Sequence, residues 1–235
     1  MKFENSEVVG FEAAFRGMRN PLESWSRSDS YLDNVLGFVI GEKDLDLAQR
    51  LIKGGPPHSK FLRYIHASVD MTAPLYLWKE FDTYKIGTVA NSTSTMHKLA
   101  TTPITLSCFE IDDYEQDLIL EEDAENDVDY RTPIKYIIGN DEKNYYLKET
   151  LIGFLEGLRL MYLKTNDKKY WKELIRWLPE SWLQTRTIDL NYEVLRNIVK
   201  WRRGHKLSEW KTFIDWVYTL PYANELIFYD IAGEN

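Results

Sequence analysis

The chain has 235 residues, with 29 Lys and Arg against 37 Asp and Glu, a net charge of −8. Hydrophobic residues make up 44%, and 8 Trp, 15 Tyr and 10 Phe supply too much apolar surface for a wholly disordered chain. No 18-residue run lacks charges, which excludes a spanning helix, and no apolar segment follows the polar opening Met1–Glu7, so no signal peptide is expected. Cys108 is the single cysteine, which forbids an internal disulfide and fits a cytoplasmic protein; with it and four His, no metal site is expected.

In chain order, Ser6–Ala14 reads as a strand through Val8, Val9 and Phe11, and Arg16–Ser30 as a loop rich in Gly, Asn, Pro and Ser. Asp44–Lys53 places Leu45, Leu47, Leu51 and Ile52 at helical spacing, and Gly54-Gly55-Pro56-Pro57 must stop that helix. Phe61–Thr72 alternates with β-branched and aromatic residues and predicts a strand. Pro74 then permits a helix over Leu75–Lys85, with Leu75, Leu77, Trp78 and Phe81 on one face. Gly87–Ser94 reads as a loop. After the acidic run Glu110–Tyr130 the pattern is helical. Asn144–Lys164 carries an apolar stripe from Tyr146 to Met161, and Lys168–Leu178 is stopped by Pro179. A third helix is capped by Asp189 or Asn191 and ended by Gly204 after Arg203, and a fourth runs from a Ser208 cap through Tyr218 to Pro221. No internal repeat is present, and one α+β domain is the simplest organisation.

The charge is uneven. Glu110–Tyr130 holds eleven acids and no Lys or Arg; without them 29 basic residues face 26 acidic ones, a balance of +3. The run lacks the central Gly and ligand spacing of a calcium loop and reads as a solvated insertion. Arg186–Lys211 contains seven basic residues against three acidic ones. Such a segment either complements a helix dipole or binds a phosphorylated small molecule; no recognised motif for duplex DNA accompanies it.

Phosphate loops of the GxxxxGK type, GxGxxG, HExxH and GxSxG are all absent, and His58, His66, His97 and His205 are well separated. One constraint comes from helix geometry. Asn191 and Arg202, eleven residues apart, fall about 20° apart in azimuth and about 16 Å apart in height, with Leu195 and Ile198 between them. Two polar residues bounding an apolar stripe either border a ligand or simply cap and end the helix.

The segment His58–His97 resembles the flavin-dependent thymidylate synthases, the ThyX family. That family reads H-x-S/T-x-x-E-H, an alternating strand, A-P-I/L-F/Y-V-x-R-Q-W-x-R-H-R, and a loop N-E-x-S-x-R-Y. Ala73-Pro74-Leu75-Tyr76 matches the A-P stretch, His58 stands fifteen residues before it, and Asn91 and Ser94 match the loop after one inserted residue. Leu178-Pro179, Asn191, Asn197 and Arg202 keep the spacing of a second block without a gap. The resemblance covers roughly residues 40–100 and 140–220, with the acidic run between them.

The resemblance implies an α+β (α/β) ThyX-like fold, a mixed sheet with long helices in a single domain over residues 1–235, with the acidic insertion at about 110–130. It implies a homotetramer that holds dUMP beside FAD, with NADPH and folate as co-substrates where the family chemistry is retained. Carried over residue by residue, Arg202 would polarise the pyrimidine as the catalytic residue. Lys85, Ser94, Arg176 and Glu80 would contact the nucleotide, and His58, Tyr84, Asn191 and Asn197 the flavin. The departures concern charge. Arg-His-Arg becomes Thr83-Tyr84-Lys85, Arg-Gln becomes Lys79-Glu80, the loop's Glu and Arg become Ser92 and Met96, and the Arg between the two Asn becomes Glu193. The Ala-Gln that follows the activating Arg becomes Leu207-Ser208. Charge-assisted hydrogen bonds are the strong ones at such sites, so these losses favour a nucleotide-binding chain without standard dUMP methylation. An active enzyme on a pyrimidine deoxynucleotide is the alternative. A protein-interaction role for the acidic segment is the third expectation.

Overall fold

The computed structural model describes residues 1–111, 134–138, 141–145 and 147–231, with the side chains of 134–150 and of His97 outside the description. Most of the acidic run therefore lies outside the described residues, including its expected role as an insertion or contact surface. The chain is helix and sheet mixed, as the sequence predicts, and forms two compact units.

The first unit comprises Met1–Ala73, Leu77–Ser92 and Thr185–Asn235. Its sheet has the order β1-β4-β8-β5, built from Lys2–Val9 (β1), His66–Pro74 (β4), Thr88–Ser92 (β5) and Leu183–Asn191 (β8). β1 pairs antiparallel with β4, and β5 with β8. Along β4 and β8 the side-chain bonds Thr72–Thr185, Thr187–Asp70 and Ser68–Asp189 run in opposite chain order.

The period of two in β4 sorts its residues. Ala67, Val69, Met71 and Ala73 are buried, while His66, Ser68, Asp70 and Thr72 stay half-exposed. The buried face belongs to a core that also contains Ile188 and Leu190 of β8, Leu195, Ile198 and Val199 of α7 (Tyr192–Arg202), and Trp210, Phe213 and Val217 of α8 (Ser208–Tyr218). Aromatic rings knit these elements together. Phe3 stacks on Trp216 at 5.1 Å, and Phe81 meets Phe213 edge-on at 5.8 Å. Each such pair contributes about 0.5–1.5 kcal/mol beyond its buried area.

Several sequence expectations are corrected. The strand expected over Ser6–Ala14 is β1 followed by a helix, α1 (Phe11–Met18), which buries Phe11, Ala14, Phe15 and Met18 at helical spacing. Gly10 separates the two at φ +98°, where a Cβ would lie 1.9 Å from the Tyr64 carbonyl oxygen, so only glycine fits. The loop expected over Arg16–Ser30 begins inside α1 and continues through two 3-10 turns, Asn20–Leu22 and Trp25–Arg27. A hairpin follows, β2 (Tyr31–Asp33) and β3 (Gly37–Val39), and then α2 (Glu42–Lys53).

The strand expected from Phe61 starts only at His66, after a 3-10 turn, Ser59–Tyr64. The loop expected over Gly87–Ser94 contains β5, and the helix expected over Leu75–Lys85 ends at Phe81 (α3). Ser208 opens α8, but Leu207 is its N-cap and no side chain caps it.

One buried ion pair organises the start of this unit. Arg19 Nε donates to Asp44 at 2.6 Å, and Asp44 also accepts from the hydroxyls of Ser28 and Ser30. Burial opposes the charge on Asp44, yet these hydrogen bonds outweigh it and hold the carboxyl below its ordinary range.

The second unit comprises Pro74–Tyr76 and Thr93–Gln184. It contains α4 (Thr95–Lys98), a hairpin of β6 (Ile134–Ile138) and β7 (Asp141–Tyr145), and the helices α5 (Leu147–Thr165) and α6 (Lys168–Arg176). Leu99, Ile104, Phe109, Leu155 and Leu174 form its core. Asp167 caps α6 by accepting from Lys169 N at 2.9 Å, and the chain leaves that helix just before Pro179, as predicted.

Candidate functional site

Arg202 is the last residue of α7, and its guanidinium lies within the first unit against α3, the residues that follow it, and α8. Its Nη1 donates to Glu80 Oε2 at 2.9 Å, and its Nε donates to the Tyr84 hydroxyl at 2.9 Å. The guanidinium carbon lies 4.6 Å from the centre of the Trp210 ring and 5.6 Å from that of Tyr84, within cation–π range. Glu80 Oε2 also accepts from Trp210 Nε1 at 2.8 Å. Leu207 N donates to His205 Nδ1 at 3.2 Å, and His205 Nε2 lies 3.1 Å from Arg202 Nη1 and 3.7 Å from Glu80. Three expected site residues, Arg202, Glu80 and Tyr84, are thus brought into one cluster, and they bond to each other.

Asn191 has a structural task. It is the N-cap of α7, and its side-chain oxygen accepts from Val194 N at 3.0 Å while 7% of the residue remains exposed. A cap satisfies one of the four N–H groups a helix start leaves without partners. Asn197 stands on the exposed side of the same helix, and Lys85 is exposed beyond α3.

His58 precedes the 3-10 turn Ser59–Tyr64 and lines a cavity of about 660 Å³ with Met18, Leu51, Phe61, Lys60 and Arg63 among its other walls. Apolar side chains with His58 and Lys60 around them suit an organic ligand that carries phosphate. Of the two expected nucleotide contacts in the second unit, Ser94 opens α4, where its backbone carbonyl accepts from Lys98 N, and Arg176 pairs with Glu173 on its own helix.

Two residues were not foreseen as partners. Arg63 and Glu193 form a two-bond ion pair, with Arg63 Nη2 to Glu193 Oε1 at 3.3 Å and Nε to Oε2 as its companion. Counted from His58, Arg63 stands where the H-x-S/T-x-x-E-H pattern has its Glu, and Glu193 stands where the second block has Arg. The paired reversal of sign was readable in the sequence once both departures were set side by side.

The structure is similar to two solved structures of the flavin-dependent thymidylate synthase ThyX from Helicobacter pylori, both complexes with FAD and dUMP. The first has a TM-score of 0.64 at 18% identity over 98% of this chain and 99% of that one. The second has a TM-score of 0.64 at 18% identity over the full length of both chains. No family model and no curated protein matches the chain. The chain has the ThyX fold, in a divergent sequence. Among the described residues, no helix is long and apolar enough to cross a membrane.

Proposed function

We propose that this chain binds a pyrimidine nucleotide on the ThyX fold and does not perform standard dUMP methylation. The observation that carries this reading is the state of Arg202. The guanidinium that would polarise a pyrimidine is bonded to Glu80 and Tyr84 of its own chain. A donor group helps a transition state only when it is aimed at the place where charge develops, and here it is aimed at a carboxylate. Asn191, expected at a flavin, is engaged as a helix cap.

FAD is the cofactor that the relatives suggest, and the cavity at His58 is the place on this chain that suits it. Lys60 would neutralise its phosphates, His58 would donate to them, and Phe61 and Leu51 would cover its rings. When bound, the flavin supplies the redox chemistry. The nucleotide contact proposed for Lys85 completes the reading on the first unit, as does assembly into a cytoplasmic homotetramer. NADPH and folate belong to it only if the family chemistry is retained.

Three measurements on the purified protein test this. Calorimetry with dUMP should give a binding isotherm, the absorption spectrum after addition of FAD should report a bound flavin, and dUMP-dependent NADPH oxidation with folate present should be absent. Turnover in that last assay would replace this reading with an active thymidylate synthase-like enzyme. Absence of heat with every pyrimidine nucleotide would remove it altogether.

A further inference from the structure

Glu80 lies on the last turn of α3, and its Oε2 collects two N–H donors, Arg202 Nη1 at 2.9 Å and Trp210 Nε1 at 2.8 Å. That oxygen occupies the position an external anion would take beside the guanidinium. The cluster is also open to solvent, with the Glu80 side chain 34% and the Arg202 side chain 18% exposed. We propose that Glu80 is the specificity-determining residue of this cluster: an internal carboxylate that fills Arg202 and excludes anionic groups of a ligand from it.

The neighbours single out Glu80. Tyr84 and Trp210 are neutral and hold Arg202 by one hydroxyl bond and by ring faces. His205 Nε2 comes within 3.1 Å of Arg202 Nη1, and its Nδ1 faces Leu207 N. Removing the Glu80 charge would leave a cation on an aromatic shelf, with the shape of the site kept. Glutamine in its place preserves the volume and one acceptor oxygen, and it supplies an amide that cannot compensate a guanidinium. The residue that the ThyX pattern carries at this position is a glutamine, so one substitution separates the filled state from the open one.

The identity of the anion rests on the nucleotide-binding reading above; the role of Glu80 does not. The experiment therefore has two arms on the full chain, wild type against Glu80→Gln, with Glu80→Ala as a second variant and Tyr84→Phe as a comparison. In the first arm an arginine-selective dicarbonyl reagent is followed at Arg202 by peptide mass spectrometry. Labelling should be at least fivefold faster in Glu80→Gln and Glu80→Ala, and within twofold of wild type in Tyr84→Phe. Millimolar inorganic phosphate should slow it in the two Glu80 variants and not in wild type. In the second arm, calorimetry should show dUMP bound at least tenfold more tightly by Glu80→Gln.

Equal labelling in all proteins, at matched thermal stability, overturns the proposal, even where dUMP binds both equally and the nucleotide reading stands. Faster, phosphate-sensitive labelling with no dUMP heat in either protein supports the role of Glu80 and removes the nucleotide reading.

Discussion

Arg63 and Glu193 tie the 3-10 turn Ser59–Tyr64 to the first turn of α7 through a two-bond ion pair beside the cavity at His58. The contact supports α7 at its N-terminal end, where an acid also complements the helix dipole. Arg63 is 56% exposed and Glu193 25%, so solvent screens the pair and its stabilisation stays within the range of surface pairs, about 0.2–1 kcal/mol.

Reversing one partner should therefore hurt more than deleting it. Arg63→Glu places two carboxylates face to face, and Glu193→Arg places two guanidinium groups there. Each should lower stability, and the double variant Arg63→Glu/Glu193→Arg should recover most of the loss. A double-mutant cycle by urea denaturation measures this; a purely additive cycle would show that the pair contributes nothing.

The Arg19–Asp44 pair is of another kind. Asp44 is fully buried and Arg19 is 5% exposed. Deleting one member leaves an uncompensated buried charge, which costs about 3–5 kcal/mol. Asp44→Ala should therefore unfold the first unit or lower its thermal midpoint by many degrees, read by circular dichroism.

The same carboxyl sets an acid limit. Its folded pKa is depressed below the ordinary value of 3.8, so its stabilising effect is complete above that value. As pH falls below 3.8 toward the folded pKa the unfolded state takes up the proton first, and the contribution is lost. Denaturation midpoints measured downward from pH 5 should fall in this window, and the fall should be shallower in a variant that lacks Asp44.

Asn191 offers a way to separate cap from ligand contact. Asn191→Ala should cost about 1 kcal/mol, whereas Asn191→Asp and Asn191→Ser retain the cap and should stay near wild type. If flavin binding follows stability across the three variants, Asn191 acts only as a cap. Loss of binding in Asn191→Ser at full stability would assign it a direct contact.

Gly87 depends on the same asparagine. Its φ is +74°, and a Cβ there would lie 2.5 Å from Asn191 Nδ2. Gly87→Ala should destabilise by more than about 1 kcal/mol, because backbone strain and displacement of the cap act together. A denaturation curve that matches wild type would contradict this coupling.

Local chemistry made many helix ends legible in the sequence. α2 stops at the Gly-Gly-Pro-Pro run, α6 before Pro179, and α7 near Gly204, whose φ is +75°. Those boundaries depend on residues next to them. β5 was not legible in the same way. Its residues Val89, Ala90, Asn91 and Ser92 are exposed, and it is a strand because β8 pairs with it. The helical spacing of Phe11, Ala14, Phe15 and Met18 was present but hidden by the β-branched residues just before it.

The sequence by itself determined the α+β class, the division of charge into an acidic segment and a basic remainder, and two spaced blocks that resemble ThyX. It also contained every residue of the Arg202 cluster. Only the tertiary structure decided what Arg202 does. Glu80, 122 residues earlier in the chain, reaches it because α3 and the end of α7 meet around Trp210. Such a pairing has no local signature. A charged residue has the same propensity whether it faces a ligand or a partner in its own chain, and only the packing of distant elements distinguishes the two.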